Sequence, residues 1–399
     1  MPARGRPVPW CGGNDRGGRR TVAESTYEGR GTGALPIVPV RARGMTIEGA
    51  DGRRYLDCLS GAGTLALGHN HPVVLEAIRG IIDSGAPLHV PGLATPVKDA
   101  FVTELSRTLP PGLAERVRVR FCGPSRDDAV ATALRLVRTA TGRAGGEHGA
   151  GLADRRPAGV IVEPVRADGG VLPVPDARLR GRTADRSVPL IADETLTGLG
   201  RTGTFWAVEH GGVTPDAMVL SGAVGGGLPL AVVVHRDDLD PPASHTHTGN
   251  QLAMAAGTAT LAHIRENGLA GHAAALGARM LDRLRTLADE LTCVGDVRGR
   301  GLLIGVDVVD PEARPDGTHR HPAAPELAAA VRRECLRRGL VIDLGGPRAS
   351  VVRLLPPLTI TEEQATAVLD RLADALQAAA RDHPHGEPRV LGRRHAHTG

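Results

Sequence analysis

Lysine is almost missing from this chain of 399 residues. Of its 48 basic residues one is lysine, Lys98, and the rest are arginine. Chemistry that needs a neutral, nucleophilic amine therefore has a single candidate, because a guanidinium stays protonated. Aromatic residues are scarce too: Trp10, Tyr27, Tyr55, Phe101, Phe121, Phe205 and Trp206 complete the set. The core must then be built from Val, Leu, Ile and Ala. Five cysteines (Cys11, Cys58, Cys122, Cys293, Cys335) are odd in number, and no pair has metal-ligand spacing. That excludes a disulfide-stapled secreted scaffold and points to a reducing, cytoplasmic compartment. No apolar run approaches the roughly 20 residues that span a bilayer, and residues 1–20 contain no apolar stretch resembling a signal peptide. The formal net charge is +4 with acids and bases interspersed, a mixed soluble surface rather than a nucleic-acid footprint.

What is present suits a large folded unit. Hydrophobic residues make up 41% of the chain, and 53 glycines with 30 prolines supply many tight turns. The length allows two to three domains or one large α/β unit. Residues 1–20 and 383–399 are polar, aperiodic and rich in Gly, Pro, Arg and His, and read as disordered tails. The histidines of the second tail read as solvated rather than metal-binding.

Between the tails, short apolar strands alternate with amphipathic helices, the pattern of a mostly parallel sheet. Strands are expected at Val117–Cys122, Gly159–Glu163, Leu190–Ala192, Ala217–Leu220 and Leu230–Val234, continuous apolar runs that suit a sheet covered on both faces. Helices are expected over Asp128–Thr139, with Ala129, Val130, Ala133, Leu134 and Val137 on one stripe, over Gln251–Ile264 capped by Asn250, and over Ala270–Leu291. Residues 294–309 read as a hairpin with a glycine-rich turn, followed by a helix at Pro325–Arg338 and a strand near Val351–Leu355. Thr361-Glu362-Glu363-Gln364 then opens the last helix with a capping box. The organisation that follows is a segment 21–71 packing on the smaller lobe, a large domain at 72–291 and a small α+β domain at 292–382.

One stretch raises a chemical question. In PDAMVLSGAVGGGLPLA (215–231), a buried-strand pattern meets Ser221, Gly222 and then three consecutive glycines. Backbone so flexible at a strand end makes room for a ligand or a reactive side chain, yet residue 222 has no side chain to offer.

RRYLDCLSGAGTLALGHNHP (53–72), VIVEPVRADGGVLPVPD (160–176), LIADETLTGLGRTGTFWAVEHGGVTPDAMVL (190–220) and GNQLAMAAGTATL (249–261) together resemble the class III pyridoxal-phosphate aminotransferases. VRGRGLLIGVDVVD (297–310) and VVRLLPPLTITEEQ (351–364) fit the same family, and the likeness covers roughly residues 25–380. LHVPGLATPVKDAF (88–101) and FCGPS (121–125) are nearest to diaminobutyrate–2-oxoglutarate transaminases. The resemblance implies fold type I, with a large cofactor domain and a small domain, and a homodimer whose active site is shared between subunits. It implies amino transfer from a diamino acid to 2-oxoglutarate, with no nucleic-acid or membrane partner.

It also implies roles. Asp193 stands where an aspartate holds the cofactor's pyridine nitrogen protonated, with Glu163 in a matching place on the neighbouring strand. Ser125 and Thr248 match phosphate ligands, and Arg353 matches the arginine that grips the substrate carboxylate. The lysine that forms the Schiff base in this family would follow Leu220-Ser221, and Gly222 occupies its position, so no catalytic residue is assigned. Any pyridoxal 5′-phosphate would be held non-covalently.

Other departures gather at the same place. Arg126-Asp127 replace a small phosphate turn, where Asp127 opposes an anion and Arg126 either offsets it or points to solvent. Thr195 and Leu196 replace residues that touch the ring. The segment 144–158 is far shorter than in the family, implying that two edge strands are missing and that five remain in the main sheet. A second loss follows 177–189. Three readings stay open: a transaminase with lost or severely reduced turnover, a non-catalytic cofactor- or amino-acid-binding paralogue acting as dimer partner or sensor, and a decaying gene product.

Overall fold

The computed structural model describes residues 35–143, 147–148, 157–177, 181, 188–239, 249–315 and 321–382. Both expected tails, and Thr248 with His245–His247, lie outside the described residues. Backbone contacts divide the chain into residues 1–38 and residues 39–399, and all that follows concerns the second unit.

The large sheet runs in the order Val117–Phe121, Ala231–Arg236, Ala217–Ser221, Leu190–Asp193, Val160–Val162, Glu147–His148. Ala231–Arg236 is antiparallel to both its neighbours, and the other pairs are parallel. Alternate residues point to opposite faces, and the two faces carry separate cores. Ile161, Ile191, Ala217, Val219 and Val233 pack under Ala129, Ala133, Leu136 and Val137 of the Arg126–Thr141 helix. Ala192, Met218, Leu220, Val232 and Val234 face Phe101, Leu105, Trp206, Met254 and Leu261. Each fully buried aliphatic side chain contributes about 1.5–3 kcal/mol, so a sheet covered twice needs few aromatics.

The expected five-strand sheet needs correction. A sixth, two-residue strand, Glu147–His148, pairs in parallel with Val160–Val162 at the edge. The surplus hydrogen bonds of an open edge recruit even a glycine-rich segment. The helical stripe shifts too: Leu136 is 1% exposed, whereas Leu134 is only partly buried.

A second, antiparallel sheet follows the order Val294–Arg300, Leu303–Val308, Val351–Leu354, Asp343–Gly345. The Pro325–Arg337 and Glu362–Asp382 helices pack with it. Gln364 and Thr361 exchange side-chain hydrogen bonds with each other's backbone N–H, the expected capping box. The Arg54–Asp57 strand joins this lobe by pairing in parallel with Leu340–Val341. Arg201, 3% exposed, ties the lobes together by donating to the carbonyls of Leu302 and Pro356.

Candidate active site

Three neighbouring strands end side by side. Val219 lies beside Asp193, and Val162 beside Ala192. Residues Gly222, Asp193 and Glu163 therefore meet at the carboxyl edge of adjacent strands, where open α/β sheets take their ligands. The Val117–Phe121 strand runs the same way, and after a four-residue turn it delivers the start of the Arg126–Thr141 helix to that edge.

Arg126, the first residue of the helix, neither offsets Asp127 nor points to solvent. Its Nε donates to Asp193 Oδ2 at 2.7 Å, and one terminal nitrogen reaches Glu163 Oε1 at 2.6 Å and Asp193 Oδ2 at 2.6 Å. Asp193 is 2% exposed, and its other oxygen accepts the Thr195 N–H at 3.1 Å. Both of its oxygens are thus engaged. Burial alone would lower the Arg126 pKa, but the two carboxylates outweigh it and the net direction is up. Glu163 is pushed up by burial, against the pull of Arg126 and with help from Asp193 and Asp168. One guanidinium thus bridges two carboxylates.

Ser125 is the helix N-cap. Its oxygen accepts the Asp128 N–H at 3.2 Å, and its hydroxyl donates to Asp128 Oδ2 at 2.6 Å. The proton that would serve a phosphate is already committed. Asp127 and Asp128 both sit in the first helical turn, which suits the helix dipole and repels an anion.

Gly222 follows Ser221 with φ +69°, the left-handed region. A Cβ at this position would stand 2.8 Å from Thr64 Cγ2. The turn is pressed from behind by the Gln251–Glu266 helix, where any side chain at Gly257 would overlap the Val224 carbonyl. Thr195 Oγ1 is buried without a partner, and Leu196 packs beside Val165, Val171 and Leu355.

Arg353 is also paired from within through its terminal nitrogens. It donates to Asp168 at 2.7 Å and to Asp343, with its Nε buried and unpartnered. Lys98, the single amine candidate, is engaged by the core rather than by the site. It is half-buried on the Pro96–Ser106 helix, its ammonium 5.1 Å from the centre of the Phe121 ring. Among the described residues no group of three or more His, Cys, Asp and Glu could hold a metal ion.

The structure brings Asp193, Glu163 and Gly222 together, with Ser125 on the adjoining turn. Sequence reasoning missed Arg126 as their partner, and missed Thr64, Asp168 and Asp343. Only Arg126 carried a signal: the first residue after an N-cap that follows a strand necessarily stands near that strand's end.

A doubly covered, mostly parallel sheet, acids at the carboxyl ends of its central strands and a smaller antiparallel lobe define a fold type I protein of the pyridoxal-phosphate-dependent class. The chain belongs to the class III aminotransferases, whose family model, "Aminotransferase class-III", matches residues 27–150 and 150–376.

Among its relatives, the diaminobutyrate–2-oxoglutarate aminotransferase of Rhizobium meliloti is 40% identical over 437 aligned positions, covering 92% of this chain and 91% of that one. Its counterpart from Haemophilus influenzae is 35% identical, covering 86% and 90%. Of solved structures, an amine transaminase from an uncultivated Pseudomonas species, pyridoxal-phosphate-bound as its internal aldimine, superposes with TM-score 0.77 at 26% identity, covering 89% of this chain and 99% of that one.

The group these enzymes use meets a poor fit in this chain. Asp193 and Glu163 stand at suitable strand ends, but Arg126 lies on both. The Ser125 hydroxyl already donates to Asp128, and a side chain at 222 would meet Thr64.

Proposed function

We propose that this protein descends from diaminobutyrate–2-oxoglutarate transaminases and has lost transamination, or retains it at a severely reduced rate. The observation that carries the reading is Gly222 at the turn after the Ala217–Ser221 strand. Its backbone is in a left-handed conformation that disfavours side chains, and the position itself supplies no amine. Lys98, the one lysine of the chain, has its ammonium over Phe121. Covalent catalysis through a lysine needs the amine itself, and acid–base assistance alone is worth about 100- to 10,000-fold.

The comparisons lend support on length. Since 92% of 399 residues is about 367, about 70 of the 437 positions aligned with the Rhizobium meliloti enzyme have no counterpart in this chain. The family match also breaks at residue 150, inside the short segment 144–158.

A second reading keeps the protein useful without turnover, as a dimer partner or a sensor of amino acids. Arg353 favours it in part: the carboxylate-binding position holds an arginine, now paired with Asp168 and Asp343. The homodimer remains part of the proposal, as does a cytoplasmic setting. The four described cysteines are buried free thiols, which supports a reducing compartment.

The test is direct. Purified protein mixed with pyridoxal phosphate, 2,4-diaminobutyrate and 2-oxoglutarate should form no glutamate, and borohydride should trap no adduct at Lys98. Glutamate formation at an ordinary enzymatic rate would end the proposal. Analytical ultracentrifugation should show a dimer.

A further inference from the structure

We propose that Arg126 is a resident counter-ion that occupies the seat between Asp193 and Glu163 and thereby shuts pyridoxal phosphate out, even as a non-covalent ligand. This rests on the reading that the strand-end pocket is the family's site, but it depends on a different residue from the loss of turnover.

The cofactor ring and Arg126 compete for the same lone pairs. A protonated ring nitrogen offers Asp193 one hydrogen bond and a charge that exists only while the proton stays. A guanidinium offers several N–H donors in a fixed fork and a permanent charge. Here Nε and a terminal nitrogen both lie on Asp193 Oδ2, at 2.7 and 2.6 Å, while the same terminal nitrogen holds Glu163. Oδ1 is held by the Thr195 N–H. With Asp193 only 2% exposed, no second approach to its carboxylate is open. A ring entering the pocket must first break the bridge and turn Arg126 and Glu163, already 37% and 35% exposed at their side chains, out to water.

The bridge is held in place from both ends. Arg126 is the first residue of a helix whose N-cap, Ser125, is locked by the reciprocal capping box with Asp128. Its backbone position is therefore set by the helix rather than by the salt bridge. At the other end Asp193 is fixed by the Thr195 N–H, and the nearby Asp168 is itself paired with Arg353. The phosphate end fares no better, with Asp127 and Asp128 in the first helical turn.

The experiment is a titration with pyridoxal phosphate, followed by equilibrium dialysis and by the cofactor's absorbance, on the full chain and two variants. The unmodified protein should show no saturable binding below about millimolar concentration. Arg126→Gly should bind at least about tenfold more tightly than the unmodified chain, the effect of freeing one charge-assisted contact. Arg126→Gly combined with Asp193→Asn removes both charges. It should melt near the unmodified protein and lose the gained affinity. If Arg126→Gly does not fold, Arg126→Gln takes its place with the same expectation.

Saturable micromolar binding by the unmodified chain overturns the proposal whatever the variants do. So does a folded Arg126→Gly or Arg126→Gln variant with unchanged affinity. Glutamate formation by the unmodified protein would refute both the exclusion and the loss of turnover, whereas binding without glutamate refutes the exclusion alone, so the two failures are told apart.

Discussion

At the scale of single residues, the strand ends concentrate charge in a way that can be measured. Glu194, next to Asp193, is 1% exposed, and burial pushes its carboxyl up to about 7, despite hydrogen bonds from Thr197 and the Val208 N–H. The folded chain then keeps a proton that the unfolded chain releases near 4.5. Across the window from about 4.5 to 7, stability falls as pH rises, and above it the loss is complete. The total is about 3 kcal/mol at roughly 1.4 kcal/mol per pH unit. Glu194→Gln, which keeps the shape and one acceptor for the Val208 N–H while its amide NH2 faces the Thr197 hydroxyl as a donor, should flatten this slope in urea melts taken from pH 4.5 to 7.5.

Gly222 gives a second prediction at this scale. Gly222→Ala adds a Cβ in a left-handed conformation and against Thr64, costing about 1–2 kcal/mol. Gly222→Lys carries the same strain, so it should restore little transamination alone. Pairing it with Thr64→Gly relieves the contact but not the backbone strain, so it should recover only part of the lost stability in thermal melts, and turnover should stay low.

At the scale of elements, the two helices nearest the site are held by their caps. Ser125→Ala removes the side-chain half of a capping box, leaving the Ser125 N–H on Asp128, and Asn250→Ala removes the acceptor of the Ala253 N–H. Each should cost about 1 kcal/mol of stability in urea titrations. If Ser125 does no more than cap its helix, its removal will leave affinity for inorganic phosphate unchanged.

This is also the scale at which sequence patterns were most informative. Alternating apolar runs marked the central strands because each is buried on both faces, and Asn250 and Thr361 marked helix starts because a cap needs a short polar acceptor. The Glu147–His148 strand was invisible for the opposite reason. AGGEHGAG has no β pattern, and its pairing comes from the exposed edge of Val160–Val162. Leu134 and Leu136 illustrate a narrower limit: a helical stripe wide enough for either leaves the choice to packing. Arg126 was the costliest omission. Its partners lie 37 and 67 residues away in the chain, and an arginine opening a helix looks like any solvated one until the strands are placed in order. The missing lysine, by contrast, was legible because Leu-Ser-Gly interrupts a motif at one defined position.

Over the whole molecule, Arg201 couples the lobes. Burial lowers its pKa to about 10, and in place of an acid it finds the carbonyls of Leu302 and Pro356, while the Leu302 N–H returns a bond to its own carbonyl. Arg201→Ala would leave those carbonyls without their donor and open a void, costing about 3 kcal/mol. The urea midpoint should fall with the slope unchanged. The exposed pairs Arg279–Glu362 and Arg283–Asp370 join two helices at the surface, and such pairs are worth about 0–1 kcal/mol each. A chain so rich in arginine is therefore not stabilised in proportion to its ion pairs.

The lone ammonium resting on Phe121 has a practical corollary. An endoprotease specific for lysine can cut this polypeptide at one internal bond only, and an amine-directed crosslinker or dye has one side-chain anchor, at residue 98. Every span measured from that anchor starts at a known point on the Pro96–Ser106 helix, so a single labelling reaction can map the molecule's neighbours without any engineered handle.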